Sequence, residues 1–279
     1  MPELPEVETM RRGILAIVGA AIRDVRSAGG RLKPIGLEPK LPAFRRRCMG
    51  QTIQDVRRVG KRVVLELGSS QVIVFEPRMT GLVLLSDPPD PEHLRMRIAL
   101  KGSRHGELLY WDRRGLGSVR LLRPDEFDVR CGPEQLGPDA LTVSADELQS
   151  RLGHSRRAIK VALLEQKAIA GIGNLYASEI LHAARLDPLR PACALARRDW
   201  VRLQGAVRDV LLAAIQYEGS TLADGTYRNA LNQPGAYQHQ HRVYGRAGEP
   251  CRTCGRARVV RVVLAQRSTF FCPRCQLRL

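Results

Sequence analysis

The 279-residue sequence has few aromatic residues and no long hydrophobic run. Phe, Trp and Tyr make up 5% of it, which argues against a platform for stacking the bases of single-stranded nucleic acid. No segment approaches the roughly 18 apolar residues that a membrane-spanning helix needs. The start of the chain is acidic and rich in proline, unlike a signal peptide, so we expect a cytoplasmic protein.

Acidic residues are also scarce relative to basic ones. Lys and Arg number 45 against 28 Asp and Glu, which gives a formal net charge of +17. Such an excess attracts polyanions and favours nucleic acid through counterion release. A membrane surface would be an alternative partner, but the sequence shows neither a basic amphipathic helix nor a juxtamembrane basic cluster. A third reading is that the charge serves solubility alone.

The hydrophobic periodicity changes along the chain, although 44% hydrophobic residues predict a folded protein throughout. A helix is predicted over residues 5–17, and apolar or β-branched runs predict strands at 63–67, 72–75 and 82–85. Apolar residues at three- and four-residue steps then predict helices over 158–166, 175–185 and 199–217. We predict a β-rich N-terminal domain (1–124), a linker (125–143), a helical domain (144–240) and a metal module (241–279).

Four of the seven cysteines form two CxxC pairs, which lie near the C-terminus. Two such knuckles are typical of a tetrahedral Zn²⁺ site, because each tight turn directs two thiolates at one ion. Four protein ligands would leave no open position, so the zinc would be structural. Disulfides or free thiols are the alternatives, and a cytosolic setting disfavours disulfides. The predicted ligands of one structural Zn²⁺ are Cys251, Cys254, Cys272 and Cys275.

The first residues suggest a nucleophile. Pro2 follows Met1, and removal of the initiator methionine would expose a secondary amine. A neutral amine that attacks a sugar C1′ gives an iminium, which is an electron sink for elimination. Glu3 and Glu6 follow at a helical offset, where one could transfer protons and the other could complement the helix dipole. The alternative is an ordinary helix start with proline and stabilising acids.

Three segments together resemble formamidopyrimidine-DNA glycosylase, the bacterial base-excision enzyme for oxidised purines. They are the start of the chain (MPELPEVETMRRG), the central segment 171–179 (GIGNLYASE) and the paired cysteine knuckles. The resemblance implies an α+β fold of two domains. The N-terminal domain would be β-rich and β-sandwich-like, preceded by a helix. The C-terminal domain would be helical, with a helix–two-turns–helix motif and a zinc-finger β-hairpin.

The resemblance also implies catalytic roles. Pro2 matches the nucleophile, Glu3 the general acid/base and Glu6 a supporting acid. Lys61 matches the hairpin lysine of the family, and it is one of only six lysines in the chain. Arg267 matches the finger-tip arginine that contacts a phosphate beside the lesion.

The same resemblance implies DNA contacts. Base-flipping enzymes fill the vacated stack with side chains, and here Leu116 stands where the family has phenylalanine. Asn174 is a predicted N-cap at a helix start that could bind phosphate. Arg156 and Lys160 are expected on the preceding helix, within reach of the phosphates. The full set of implied DNA-binding residues is Met79, His93, Arg114, Leu116, Arg156, Lys160 and Asn174.

The predicted function is that of a bifunctional DNA glycosylase and AP lyase, a monomer that acts on double-stranded DNA containing oxidised bases or abasic sites. Two alternatives stay open. One is an endonuclease VIII-like glycosylase for oxidised pyrimidines. The other is a non-catalytic, zinc-containing DNA-binding protein, which retention of Met1 would favour.

Overall fold

Residues 2–28 and 34–277 are described by a computed structural model, and their contacts group them into two units. Unit 1 comprises the chain up to residue 132 together with residues 217–238, and unit 2 comprises residues 133–216 and the chain from residue 239 onward. The segment 217–238 thus joins unit 1 although it follows the helices of unit 2 in sequence.

Unit 1 contains three helices and nine strands among the described residues. The helices are α1 (Leu4–Gly13), α2 (Leu41–Cys48) and α3 (Pro124–Cys131), and α3 lies in the segment predicted as a linker. The strands are β1 (Ala21–Ser27), β2 (Gly36–Glu38), β3 (Ile53–Val59), β4 (Arg62–Leu67), β5 (Val72–Glu76), β6 (Gly81–Leu84), β7 (Leu94–Lys101), β8 (Glu107–Asp112) and β9 (Ser118–Leu122). The strands predicted at 63–67, 72–75 and 82–85 are therefore confirmed as β4, β5 and β6.

The strands form two sheets around one apolar core. One sheet has the order β1-β7-β8-β6 and the other the order β2-β9-β5-β4-β3, with antiparallel pairs except β2 beside β9. The core combines side chains of both sheets with Val7 and Met10 of α1. At about 25 cal/mol per Å² of apolar surface, this burial is the main stabilising term of the unit.

Unit 2 is mainly helical and ends in a β-hairpin. Its helices are α4 (Ala145–Leu152), α5 (Ile159–Ala162), α6 (Asn174–Ala183) and α7 (Arg197–Gln216), and the hairpin strands are β10 (Val260–Leu264) and β11 (Arg267–Phe271). Both the α+β class and the β-rich and helical divisions predicted from the sequence are confirmed. Within the described part of the chain, no helix is both long and apolar enough to cross a membrane.

Two predicted helices are shorter than expected. The helix predicted over 5–17 ends at Gly13 and continues as a 3₁₀ turn over Leu15–Ile17, because residue 13 packs so closely on Ala230 that a Cβ would lie 2.5 Å from that side chain. The helix predicted over 158–166 ends at Ala162. Beyond it, the Gln166 side chain donates to the carbonyl of Ile172 and accepts from the N–H of Gly171, so the chain turns instead of continuing as a helix.

Candidate active site and zinc module

A small pocket lies at the start of α1 in unit 1. Pro2 lines it, together with Met79 and Tyr227 and with part of the segment 220–226. Pro2 and Glu3 are both buried. The pocket therefore brings the predicted nucleophile beside a predicted wedge side chain and beside a segment that is distant in sequence.

Glu6 joins that distant segment to the chain start. One oxygen of its carboxylate accepts the backbone N–H of Glu3 at 2.9 Å, and the other accepts the N–H of Ser220 at 2.9 Å. Gly219 allows this approach, because a Cβ there would lie 2.9 Å from Cγ of Glu6 and its φ is +81°. Glu6 is 2% exposed, so its carboxylate fixes the backbone around Pro2 and Glu3.

Lys61 occupies the tight turn between β3 and β4. Val59 pairs with Arg62, which leaves Gly60 (φ +56°) and Lys61 as the two turn residues. Arg58 donates to the carbonyl of Gly60 at 3.0 Å and to Glu8 of α1 at 3.2 Å. The turn that presents Lys61 is thereby tied to the helix that follows Pro2.

Glu8 is a buried acid for which the sequence analysis assigned no role. It accepts hydrogen bonds from Arg11 and Arg12 as well as Arg58. Burial alone would raise the pKa of Glu8, but these guanidinium groups hold the pKa below its ordinary value. Arg11 and Arg12 lie three and four residues after Glu8, a helical spacing that could have indicated the cluster.

The predicted wedge residues lie on two turns of unit 1. Met79 is in the turn between β5 and β6 and is 36% exposed, whereas Leu116 is 45% exposed in the segment between β8 and β9. Arg114 is exposed on the same segment. These side chains project from turns above a packed core, as insertion into a base stack would require.

His93 is held by its neighbours. Its Nδ1 lies 2.8 Å from Oδ1 of Asp90, and its ring packs edge-on against Trp111. A role in DNA contact stays a prediction for His93.

In unit 2, Lys160 and Asn174 meet the finger hairpin. Lys160 is fully buried, and its Nζ donates to Oδ1 of Asn174 at 2.5 Å, to Oγ1 of Thr269 at 2.9 Å and to the carbonyl of Ser268 at 3.2 Å. The amide of Asn174 also donates to the Ser268 carbonyl. Arg267 is exposed and immediately precedes Ser268, so this network fixes the backbone from which Arg267 extends.

Two local predictions for this region are wrong. The N-cap of α6 is Gly173, and Asn174 is the first helical residue, because the Asn174 side chain is engaged by Lys160 and Ser268. Arg156 precedes α5 rather than lying on it. Contacts of Arg156, Lys160 and Asn174 with DNA stay predictions.

The four predicted zinc ligands come together. Their sulfur atoms all lie within 4.8 Å of one another, with 3.9 Å between Cys251 and Cys275 and 3.8 Å between Cys254 and Cys272. Tetrahedral Zn²⁺ with Zn–S bonds of about 2.3 Å places its sulfurs about 3.8 Å apart. The donor set therefore fits zinc in both chemistry and spacing.

Comparisons with known proteins agree along the whole chain. The formamidopyrimidine-DNA glycosylase N-terminal domain matches residues 1–119, the H2TH domain of the same glycosylase matches 135–225, and the zinc finger found in FPG and IleRS matches 248–278. Formamidopyrimidine-DNA glycosylase of Herpetosiphon aurantiacus is 38% identical, over 99% of this chain and 100% of its own length. This chain belongs to the formamidopyrimidine-DNA glycosylase family.

Solved structures of this glycosylase family share the fold. The MutM (Fpg) protein of Thermus thermophilus superposes with a TM-score of 0.85 at 37% identity, covering 99% of this chain and 98% of its own. Lactococcus lactis Fpg in complex with DNA containing an abasic site gives a TM-score of 0.86 at 29% identity, covering 99% and 100%. The family match agrees with the resemblance drawn from the two termini and the central motif.

Two further residues of this glycosylase connect α6 to the zinc module. Glu179, the last residue of the central motif, accepts the successive N–H groups of Arg242, Val243 and Tyr244 at 2.7–2.9 Å. Nε2 of His182 lies 3.6 Å from Sγ of Cys251. Burial lowers the pKa of His182 to about 4, so the ring is neutral near pH 7. The sequence contains no local signal for either contact, since both join distant segments.

Proposed function

We propose that this chain is a bifunctional DNA glycosylase and AP lyase that excises oxidised purines, namely 8-oxoguanine and formamidopyrimidines, from duplex DNA in base excision repair. The observation that supports this best is the pocket in which Pro2, Met79 and residues of the segment 220–227 meet. A nucleophile, a wedge and a pocket wall in contact are what excision of a flipped base requires. Lactococcus lactis Fpg has been solved in complex with DNA containing Fapy-dG, at 31% identity.

Removal of Met1 would free the secondary amine of Pro2. Pro2 is buried, and burial disfavours the ammonium form of a freed amine. The amine would therefore be neutral and nucleophilic near neutral pH, where a free N-terminal amine has a reference pKa of about 7.7–8.0.

The chemistry then proceeds through the sugar. The nitrogen lone pair of Pro2 attacks C1′, the glycosidic bond breaks with its electrons leaving on the base, and the Lys61 ammonium supplies the base with a proton. Glu3 protonates O4′ as the sugar ring opens to an iminium. Loss of the C2′ proton then expels the 3′ phosphate, loss of the C4′ proton expels the 5′ phosphate, and water releases Pro2.

DNA would be held mainly through its phosphates. The chain has a net charge of +17, and Arg267 and Asn174 are joined through the Ser268 carbonyl. Arg267 would neutralise the phosphate beside the lesion, while Met79, Arg114 and Leu116 fill the vacated stack. We expect a monomer to act on the duplex.

A single structural Zn²⁺ would be held by Cys251, Cys254, Cys272 and Cys275. With four thiolates bound, the ion has no open coordination position, so it would stabilise the hairpin that presents Arg267 and take no part in the reaction.

Borohydride trapping tests the proposal. The protein is incubated with a duplex containing one 8-oxoguanine opposite cytosine, reduced with borohydride and analysed for a covalent adduct and for strand cleavage. Wild type should give both, Pro2→Gly should give no adduct, and the control Pro5→Ala should retain the adduct. Undiminished trapping by Pro2→Gly would remove Pro2 from the nucleophile role.

Two measurements address the alternative functions. Lactococcus lactis Fpg has also been solved in complex with DNA containing an oxidised pyrimidine, so a thymine-glycol duplex should be assayed in parallel. Faster excision of thymine glycol than of 8-oxoguanine would favour the endonuclease VIII-like specificity. Intact mass shows whether Met1 is retained, which would block the amine and favour a non-catalytic DNA-binding protein.

A further inference from the structure

Asp112, at the end of β8, is a fully buried carboxylate in unit 1 outside the predicted catalytic set. Its Oδ1 accepts the hydroxyl of Thr80 at 2.5 Å and the N–H of Arg114 at 3.2 Å, and its Oδ2 accepts the N–H of Gly117 at 2.8 Å. Both oxygens are thus used to organise backbone that neighbours the predicted wedge residues.

Thr80 connects the two wedge turns directly. It follows Met79 in the turn before β6, and its hydroxyl donates to Asp112 while accepting the N–H of Arg114 at 2.9 Å. One hydroxyl therefore joins the turn that presents Met79 to the segment that presents Arg114 and Leu116. Because the hydroxyl is 32 residues from Asp112 in sequence, no local pattern indicates the link.

The surroundings leave the link little freedom. A Cβ at Gly117 would lie 1.9 Å from the Tyr110 hydroxyl and 3.0 Å from Oδ2 of Asp112, so glycine permits the close approach of the segment. Arg95 secures the other side of the segment, donating to the carbonyl of Asp112 at 2.8 Å. Buried hydrogen bonds with every partner satisfied give an arrangement that is costly to distort.

We propose that Asp112 and Thr80 are positioning residues that join Met79, Arg114 and Leu116 into one rigid wedge for base extrusion. This inference rests on the proposed glycosylase function. A rigid wedge loses less conformational entropy when it enters the base stack than three independently moving side chains would. The link should therefore matter most for substrates that still have a base to extrude.

The test compares two duplexes under single-turnover conditions, one with 8-oxoguanine opposite cytosine and one with a preformed abasic site. Thr80→Val removes the hydroxyl and preserves the shape of the side chain. We expect excision of 8-oxoguanine to slow about tenfold, as loss of a buried hydrogen bond can cause, and cleavage of the abasic site to slow much less. Thr80→Ser should restore the ratio of the two rates.

Asp112→Asn is the second variant, since its amide cannot accept the N–H of Gly117 while one oxygen still accepts from Thr80. It should shift the ratio in the same direction. Asp24→Asn is the matched control, because Asp24 is a buried carboxylate that accepts from the Val25 N–H and from Arg26 and Arg45 on β1 and α2. The control should leave the ratio at the wild-type value.

Methyl NMR of Met79 and Leu116 reads wedge rigidity without activity, and both methyl groups should become more mobile in Thr80→Val. Equal slowing on both duplexes, or unchanged methyl mobility in both variants, would overturn the inference while leaving the glycosylase function intact. A wild-type protein that cleaves neither duplex would instead overturn the proposed function, and the inference with it.

Discussion

In unit 1 the side chains of two sheets and α1 pack into one apolar core, whereas the hairpin of unit 2 has a small apolar cluster beside four clustered thiols. That cluster consists of Val243, Val259 and Phe270, with Tyr244 packed against it. Val263 on β10 is 64% exposed. A hairpin with so little buried apolar surface is marginal in water by itself. The comparison indicates that apolar burial stabilises the predicted catalytic unit, whereas metal and polar contacts stabilise the predicted phosphate-binding hairpin.

Loss of a zinc ligand should break this contrast most strongly. A structural Zn²⁺ in zinc-finger peptides contributes on the order of 10–16 kcal/mol, far more than the Val243 cluster can supply. In Cys272→Ser we expect less than one zinc per chain by mass spectrometry, rapid amide exchange in β10 and β11, and protected amides in β4 and β5. DNA affinity should fall by at least a hundredfold, because the hairpin presents Arg267.

Cys193→Ser is the matched control, since Cys193 is an exposed free thiol outside the cluster. It should retain one zinc and wild-type exchange rates. A Cys272→Ser protein with slow exchange in β10 and β11 would show that the hairpin does not depend on the metal.

Replacing Lys160 tests the polar contacts of unit 2. Lys160→Met removes the ammonium but not the bulk, which leaves acceptors of Asn174, Ser268 and Thr269 without this donor. We expect unit 2 to lose about 1–3 kcal/mol of unfolding free energy, the usual cost of unsatisfied buried groups, and DNA affinity to fall about tenfold. Chemical denaturation and fluorescence anisotropy with duplex DNA measure the two effects.

The salt dependence of that affinity separates a positioning role from a phosphate contact. Loss of a direct phosphate contact would reduce the slope of log K against log salt by about 0.9, whereas loss of a positioning residue leaves the slope unchanged. Burial of Lys160 favours the unchanged slope. The exposed Lys167, replaced by Met, is the control and should change stability by less than about 0.5 kcal/mol.

A third prediction concerns the ionic contact within the apolar unit. Glu8→Gln should lower the stability of unit 1 by about 2 kcal/mol at pH 7, because hydrogen bonds from Arg11, Arg12 and Arg58 weaken when the charge is lost. The folded-state pKa of Glu8 lies below its ordinary value of about 4.5, so its contribution is present above that pH and is lost as the pH falls through the folded-state pKa.

Melting temperatures of wild type and Glu8→Gln should therefore differ at pH 7 and converge towards pH 3. Glu107→Gln is the control, because Glu107 forms a half-exposed pair with Arg97 that is worth little. A difference that stays constant between pH 7 and pH 3 would mean that the effect of Glu8→Gln does not arise from its charge.

The sequence predicted features that depend on neighbouring residues. The strands β4, β5 and β6, the helix α7 and the two cysteine knuckles follow from spacing, and three short motifs were enough to indicate the family. Contacts between distant segments could not be predicted in the same way. Glu6 meets Ser220 across 214 residues, and Lys160 meets Thr269 across 109. A basic residue on a short helix suggests a solvent-exposed side chain, and only the packed fold shows that Lys160 is buried.

The tip of the zinc hairpin offers the smallest effect and sharpens the comparison in the opposite direction. Leu264 pairs with Arg267, so Ala265 and Gln266 form a two-residue turn, and both have positive φ, +45° and +60°. Asn-Gly is the preferred pair for such a turn, since glycine and asparagine adopt positive φ at little cost.

Ala265→Asn combined with Gln266→Gly should stabilise the hairpin by about 1 kcal/mol and slow amide exchange in β10 and β11. Gly255→Ala is the inverse control: Gly255 has φ +61° with no atom near its missing Cβ, so the methyl group adds backbone strain alone and should speed exchange. If neither variant changed exchange while zinc content stayed at one per chain, the metal alone would set the stability of the hairpin, and the polar and backbone contributions inferred for unit 2 would be negligible beside it.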